Sequence, residues 1–285
     1  MQPSLEHPMH RFDQDLAVAK CHAPMEQQRW SPYQDNGGTA TGAVGEDFAV
    51  IVADTRLSTG YRILSRKCSK LAQLTDTVYL ASSGMQADIK ALQDQLKVQV
   101  RLYEFENRQA PGIHAIAQLL SVILYGRRFF PYYTFNIIAG LDREGKGKLY
   151  SYDAIGSFEE HAYAAVGSGS ALLTSVLDNR LGGHTQLITP PKLSKLEVID
   201  LLKDSISGVT ERDIFTGDNA EIVVIDGTGA RLTLFIQVMT PNLYENGLEF
   251  DDLFADPLVL LEDILDPLLM MIKGLRSHMV VNPPS

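Results

Sequence analysis

A chain of 285 residues with 45% hydrophobic content has ample material for a full core, and layered α/β or α+β domains reach this length. Its formal net charge of −10 argues against nucleic acid or an anionic membrane as partner, because either would want a basic patch. The two cysteines, Cys21 and Cys68, form no CxxC pair and the seven histidines no HxxxH pair, so neither a disulfide framework, a metal nor a cofactor is expected.

Residues 1–36 are rich in Pro, Gln and His and show no sustained periodicity, which reads as a propeptide-like extension. Trp30 and Tyr33 near its end are candidate anchors to a neighbouring surface. The first residues have mixed charge and lack the apolar core of a signal peptide, and no apolar run approaches the roughly 18 residues of a membrane span. A cytoplasmic and nuclear setting is the expectation.

From Gly37 to Lys70 the chain reads strand, tight turn, strand. Thr39 to Val44 are small and β-branched, Gly45-Glu46-Asp47 supply turn chemistry, and Phe48 to Ala53 form an apolar run suited to a strand covered on both faces. Asp54 and Arg56 close that strand, and Lys70 follows. Tyr61 to Leu64 and Val78 to Ser82 read as further strands, after which Gly84 opens a helix with Ile89, Leu92, Leu96, Val100 and Tyr103 on one stripe. Pro111 suits the first turn of a second helix, whose stripe is Ile113, Ile116, Leu120 and Leu124.

Arg127, Arg128 and the aromatics Phe129, Phe130, Tyr132 and Tyr133 read as part buried, part contact surface for a neighbouring chain. Strands are expected at Thr134 to Gly140 and at Phe158 to Val166. Gly167-Ser168-Gly169 leads into a helix with Leu172, Leu173, Val176 and Leu177. Ser194 and Glu197 form a capping box before a helix with the apolar face Leu196, Ile199, Leu202, Ile206 and Val209. Two final strands, Glu221 to Asp226 and Arg231 to Met239, flank Gly227-Thr228-Gly229. Beyond them, residues 240–285 form a separate extension. In it, Asp256-Pro257 and Asp266-Pro267 each start a short amphipathic helix with Leu258, Leu261, Leu265, Leu268 and Ile272 on one face.

GGTxxG, ADTR and the lysine of KCSKL give residues 37–239 a resemblance to proteasome β-type subunits, members of the N-terminal-nucleophile hydrolases. The resemblance implies a four-layer αββα sandwich of the α+β class; the pattern alone yields only α/β or α+β. In active members a free N-terminal threonine attacks the peptide carbonyl with its own amine as base, assisted by a lysine and an aspartate. The nucleophile then stands sixteen residues before that aspartate and the lysine sixteen after it. From Asp54 the forward count reaches Lys70 and the backward count reaches Gly38, which has no hydroxyl. Thr39 comes one residue late, and strand alternation turns its side chain, like that of Thr41, away from Lys70. The resemblance further matches Ser168 to the serine that hydrogen-bonds around the threonine site, Asp213 and Thr216 to the residues that steady the amine, and Asp153 to a position lining the pocket of an adjacent active subunit.

LYGRRFFPYYTFNIIAGLD and SYDAIGS resemble, in wording and order, a non-catalytic member of the family at position six of the β ring. The expected function is therefore a structural β subunit of the 20S core used in ubiquitin-dependent protein degradation. Its partners would be the other β and α subunits of a 28-chain stack of seven-membered rings. Unfolded polypeptide substrates would share the chamber. The rival reading is an active threonine protease that uses Thr39 after cleavage of the Gly38–Thr39 bond, a bulge restoring the register.

Overall fold

The computed structural model describes residues 31–236 apart from 184, 185, 188 and 189. Trp30 and the helices read from residues 240–285 lie outside the described residues.

The opening hairpin pairs β1 (Thr39–Val44) with β2 (Phe48–Asp54), and all seven residues of β2 are buried. β3 (Leu57–Thr59) and β4 (Arg62–Ser65) make a short ribbon, followed by β5 (Leu71–Thr75) and β6 (Val78–Gly84). Gly84 ends β6 at φ +118°, so helix α1 (Gln86–Asn107) starts two residues later than the sequence suggested. Its stripe Ile89, Leu92, Leu96 and Val100 is buried, but residues 101–110 are all exposed. Tyr103 thus sits on an overhang, not in the core. Helix α2 (Ile113–Tyr125) buries Ile113, Ile116, Leu120 and Leu124, with Gly112 as its N-cap, which leaves Pro111 just outside the first turn.

Strands β7 (Thr134–Leu141) and β8 (Gly147–Tyr152) continue the second sheet. The single strand expected over Phe158 to Val166 is two: β9 (Phe158–Glu160) and β10 (Tyr163–Gly167). The chain changes sheets between them. The His161 amide bonds to the Leu149 carbonyl in one sheet, and the Ala162 carbonyl accepts from Val44 in the other. Helix α3 (Ser170–Leu177) buries only Leu173 and Leu177 and leaves Leu172 and Val176 exposed. Helix α4 (Lys195–Thr210) carries the Ser194–Glu197 capping box; Val198 takes the buried position that the sequence reading gave to Leu196, which is exposed. β11 (Asn219–Asp226) and β12 (Gly229–Ile236) close the described chain.

One five-stranded antiparallel sheet runs β10-β1-β2-β11-β12 and the other β5-β6-β7-β8-β9. Three apolar clusters separate four layers. Leu92, Leu96, Ile116 and Leu120 pack on Leu80 and Ile138 between the first helix pair and its sheet. Ile51, Val223, Ile137 and Leu149 fill the space between the sheets. Val50, Val52 and Ile222 meet Leu177, Leu202 and Ile206 of the second helix pair. The alternation of β2 makes this possible: Ile51 feeds one cluster and Val50 and Val52 the other. The fold is α+β, with the αββα order that the resemblance implies.

Candidate functional site

Asp54, at the end of the buried β2, and Lys70, just before β5, meet where the two sheets face each other. Both are 1% exposed, and Lys70 Nζ lies 3.0 Å from Asp54 Oδ1. An ammonium has three protons to give. Lys70 directs them to that carboxylate, to the Asp54 carbonyl at 3.0 Å and to the Arg56 carbonyl at 2.7 Å. Asp54 is equally committed. Oδ1 also accepts the Thr39 amide at 2.8 Å, and Oδ2 accepts the amides of Arg56 (3.1 Å) and Gly217 (3.3 Å). Burial pushes the Asp54 carboxyl above its ordinary value, against the opposing pull of Lys70 and the amides of Thr39 and Gly217.

Gly38 lies directly against this pair. A Cβ there would run into Lys70 Cε and stand 2.8 Å from its Nζ and 3.0 Å from Asp54 Oδ1. Its φ of +89° is also one that side-chain-bearing residues rarely adopt. Volume and backbone both belong to glycine here.

Thr39 turns to the other face of β1. Its Oγ1 accepts the Gly169 amide at 2.9 Å and lies 2.6 Å from Thr216 Oγ1. Thr216 gives its single proton to Asp213 Oδ2 at 2.5 Å, so the Thr39 hydroxyl donates to Thr216. Ser168 Oγ donates to the same Asp213 oxygen at 2.6 Å, and its amide donates to the Gly38 carbonyl at 3.0 Å. Ser168, Asp213, Thr216 and Thr39 therefore form one connected network on the side of the strand away from Lys70. Thr41, two residues on, spends its hydroxyl on the Ala164 carbonyl.

Arg56 points away from both groups. Its guanidinium makes a two-pronged contact with Asp218 (2.8 and 3.3 Å) and donates to the Ile214 carbonyl at 2.9 Å. Asp218 also pairs with Arg66 and is held at φ +68°. The sequence reading missed Asp218, although the second acid of RDIFTGD, directly after a glycine, was the available signal. Asp153 lies apart from this site. Its Oδ1 accepts the amides of Ile155, Gly156 and Ser157 at 2.7–3.0 Å, which closes the turn after β8.

A cleft of about 450 Å³ opens beside Gly37 and Gly167, lined also by Asp35, Ser83, Tyr133 and Ser168. Among the described residues no group of three His, Cys, Asp or Glu side chains is placed to hold a metal ion.

A family profile described as "Proteasome subunit" matches residues 34–225, which takes in the elements from β1 to α4 and all of β11 but its last residue. The chain belongs to the proteasome subunit family. Among curated proteasome subunits it is 48% identical over 214 residues to "Proteasome subunit beta type-1" of Arabidopsis thaliana, covering 73% of this chain and 96% of that protein. The protein of the same description from Oryza sativa is 50% identical over 204 residues, covering 70% and 92%. "Proteasome subunit beta type-6" of Saccharomyces cerevisiae is 41% identical over 220 residues, covering 74% and 91%.

Proposed function

We propose that this proteasome subunit is a non-catalytic β subunit of the 20S core, of the beta type-1 kind, at position six of the β ring. It contributes wall, not nucleophile, to a proteolytic chamber through which unfolded polypeptides pass. Its partners are the neighbouring β subunits, α subunits and the opposite β ring of a 28-chain assembly.

One observation carries this reading. The register position for the attacking residue is Gly38, and the space its side chain would need is taken by Lys70. A nucleophile activated by that lysine has nowhere to stand. Thr39, the nearest hydroxyl, is fully buried and bonded to Thr216 and Gly169.

The test is the mature N-terminus in assembled particles, read by intact mass, together with labelling by a threonine-directed electrophile. The expected chain retains Gly38 and carries no adduct. A chain that begins at Thr39 and bears the adduct overturns the proposal.

Asp153 is the residue through which this subunit reaches a neighbour's chemistry: its exposed carboxylate lines the substrate pocket of the adjacent active subunit. Asp153→Asn keeps the oxygen that accepts three amides and removes only the charge. The neighbour's preference between basic and neutral substrates should shift by about fivefold, the equivalent of ~1 kcal/mol for an exposed charge pair. An unchanged preference refutes this role.

A further inference from the structure

An asparagine followed by glycine is chemically short-lived in a chain that has not folded, and this chain enters β1 through such a pair, Asn36-Gly37. Without a Cβ at residue 37, nothing hinders the approach of its nitrogen to the Asn36 carboxamide. The Gly37 nitrogen gives up its proton and bonds to Asn36 Cγ, the Cγ–Nδ2 bond breaks, and ammonia leaves. Water then opens the resulting cyclic imide at either carbonyl, which yields aspartate or isoaspartate.

In the folded subunit the groups that this reaction uses are all engaged. Asn36 Nδ2 donates to the Ser58 carbonyl at 2.9 Å and to Thr59 Oγ1 at 3.3 Å, while Oδ1 accepts the Gln86 amide at 2.9 Å. The Asn36 amide donates to the Gly84 carbonyl (3.2 Å), and its carbonyl accepts the Ser58 amide (3.4 Å). Gly37 donates its own amide to Asp35 Oδ1 at 2.8 Å. Turning the carboxamide onto Gly37 breaks the three side-chain bonds. Removing the Gly37 proton leaves an anion against the Asp35 carboxylate. The fold therefore holds the pair inert.

We propose that Asn36-Gly37 is a self-modification site that records how long a chain has stayed unfolded: it converts to aspartate or isoaspartate before folding and is locked afterwards. A converted chain no longer fits the fold. Aspartate has no proton for the Ser58 carbonyl or the Thr59 hydroxyl, and it sets a second carboxylate beside Asp35 in a residue only 9% exposed. Isoaspartate routes the main chain through Cβ, so the backbone of residue 36 loses its register with Gly84 and Ser58. No step in the folded state restores the amide, so chains that wait too long are kept out of particles. The proposal rests on the reading that the Gly38–Thr39 bond stays intact, because cleavage there would discard the site.

Mass mapping of the tryptic peptide 30–56, from the full chain in denaturant and from assembled particles, tests it. Asn246-Gly247, the same dipeptide outside the described residues, dates the denatured chain in the same spectra. Asn36 should convert alongside Asn246 in denaturant, and at least ~100-fold more slowly in particles. When aged and fresh chains compete for assembly, the form converted at residue 36 should be depleted about tenfold in the particles, and Asn36→Asp by a similar factor. Survival of Asn36 in denaturant while Asn246 converts, equal rates in chain and particle, or converted or Asn36→Asp chains entering particles as readily as fresh ones overturns the proposal. Particles whose chain begins at Thr39 would lack the peptide altogether and remove the non-catalytic reading instead, so the two failures are distinguishable.

Discussion

A lysine with almost no contact with water keeps its charge only when every proton finds an oxygen, and Lys70 meets that condition with one carboxylate and two carbonyls. Lys70→Ala strands Asp54 as an unpaired buried charge, and the expected cost is about 3–5 kcal/mol, read as a lower denaturation midpoint or failure to enter particles. A fall of less than about 1 kcal/mol would contradict the pairing, because that is the scale of an exposed bridge. The two partners were legible in the sequence because the resemblance fixes the sixteen-residue step from Asp54 to Lys70, and counting it needs no knowledge of the fold. Asp218 was not: its partner Arg56 lies 162 positions away, and only the folded sheet brings them together. Asn36 was hidden for a related reason, since its bonds run to Ser58 and Gly84 on two different strands.

The β11–β12 hairpin shows what one side chain does for an element. Asp226 Oδ1 accepts the Thr228 amide at 2.9 Å and its hydroxyl at 2.5 Å, and Oδ2 meets Lys195 Nζ at 3.0 Å. Burial acts upward on this carboxyl, but the bonds from Thr228 and Lys195 outweigh it and bring the pKa down to about 2. An unfolded aspartate titrates near ~3.9. The folded value is the lower one, so the stabilisation is present above about pH 4 and is lost as pH falls toward 2. The stability advantage of the unaltered chain over Asp226→Asn, measured as urea midpoints, should be larger at about pH 5 than at about pH 3. An advantage that does not change with pH would rule out the ionised carboxylate as its source. The capping box of α4 was readable because its two residues are three apart, whereas the break between β9 and β10 was not, since both pieces continue one β-like run and only their partners differ.

For the whole molecule, periodicity showed which faces are apolar but not which layer each one meets. The run from Phe48 to Ala53 looks the same whether helices or a second sheet lie above it; here it has one on each side. The layer order came from the resemblance, and the three clusters explain it physically. One end of the sandwich has a further property. Where β8 begins, Gly147 donates its amide to the Glu46 carbonyl at 3.4 Å, and a Cβ at this position would press on the backbone carbonyls of Phe48 and Gly45. Those atoms belong to the β1–β2 turn and the first residue of β2, at the opposite end of β1 from Gly38. The two sheets are thus bound like a book along a spine, and the site, clasped by the buried Asp54–Lys70 pair, lies at the fore-edge. Gly147→Ala is a shim slipped into the binding. It should cost about 1–3 kcal/mol in unfolding stability, and because the pages are stiff, it should also speed amide exchange at Gly167 and Ser168, far from the alteration. Spacing at the fore-edge is set by an atom that glycine does not have.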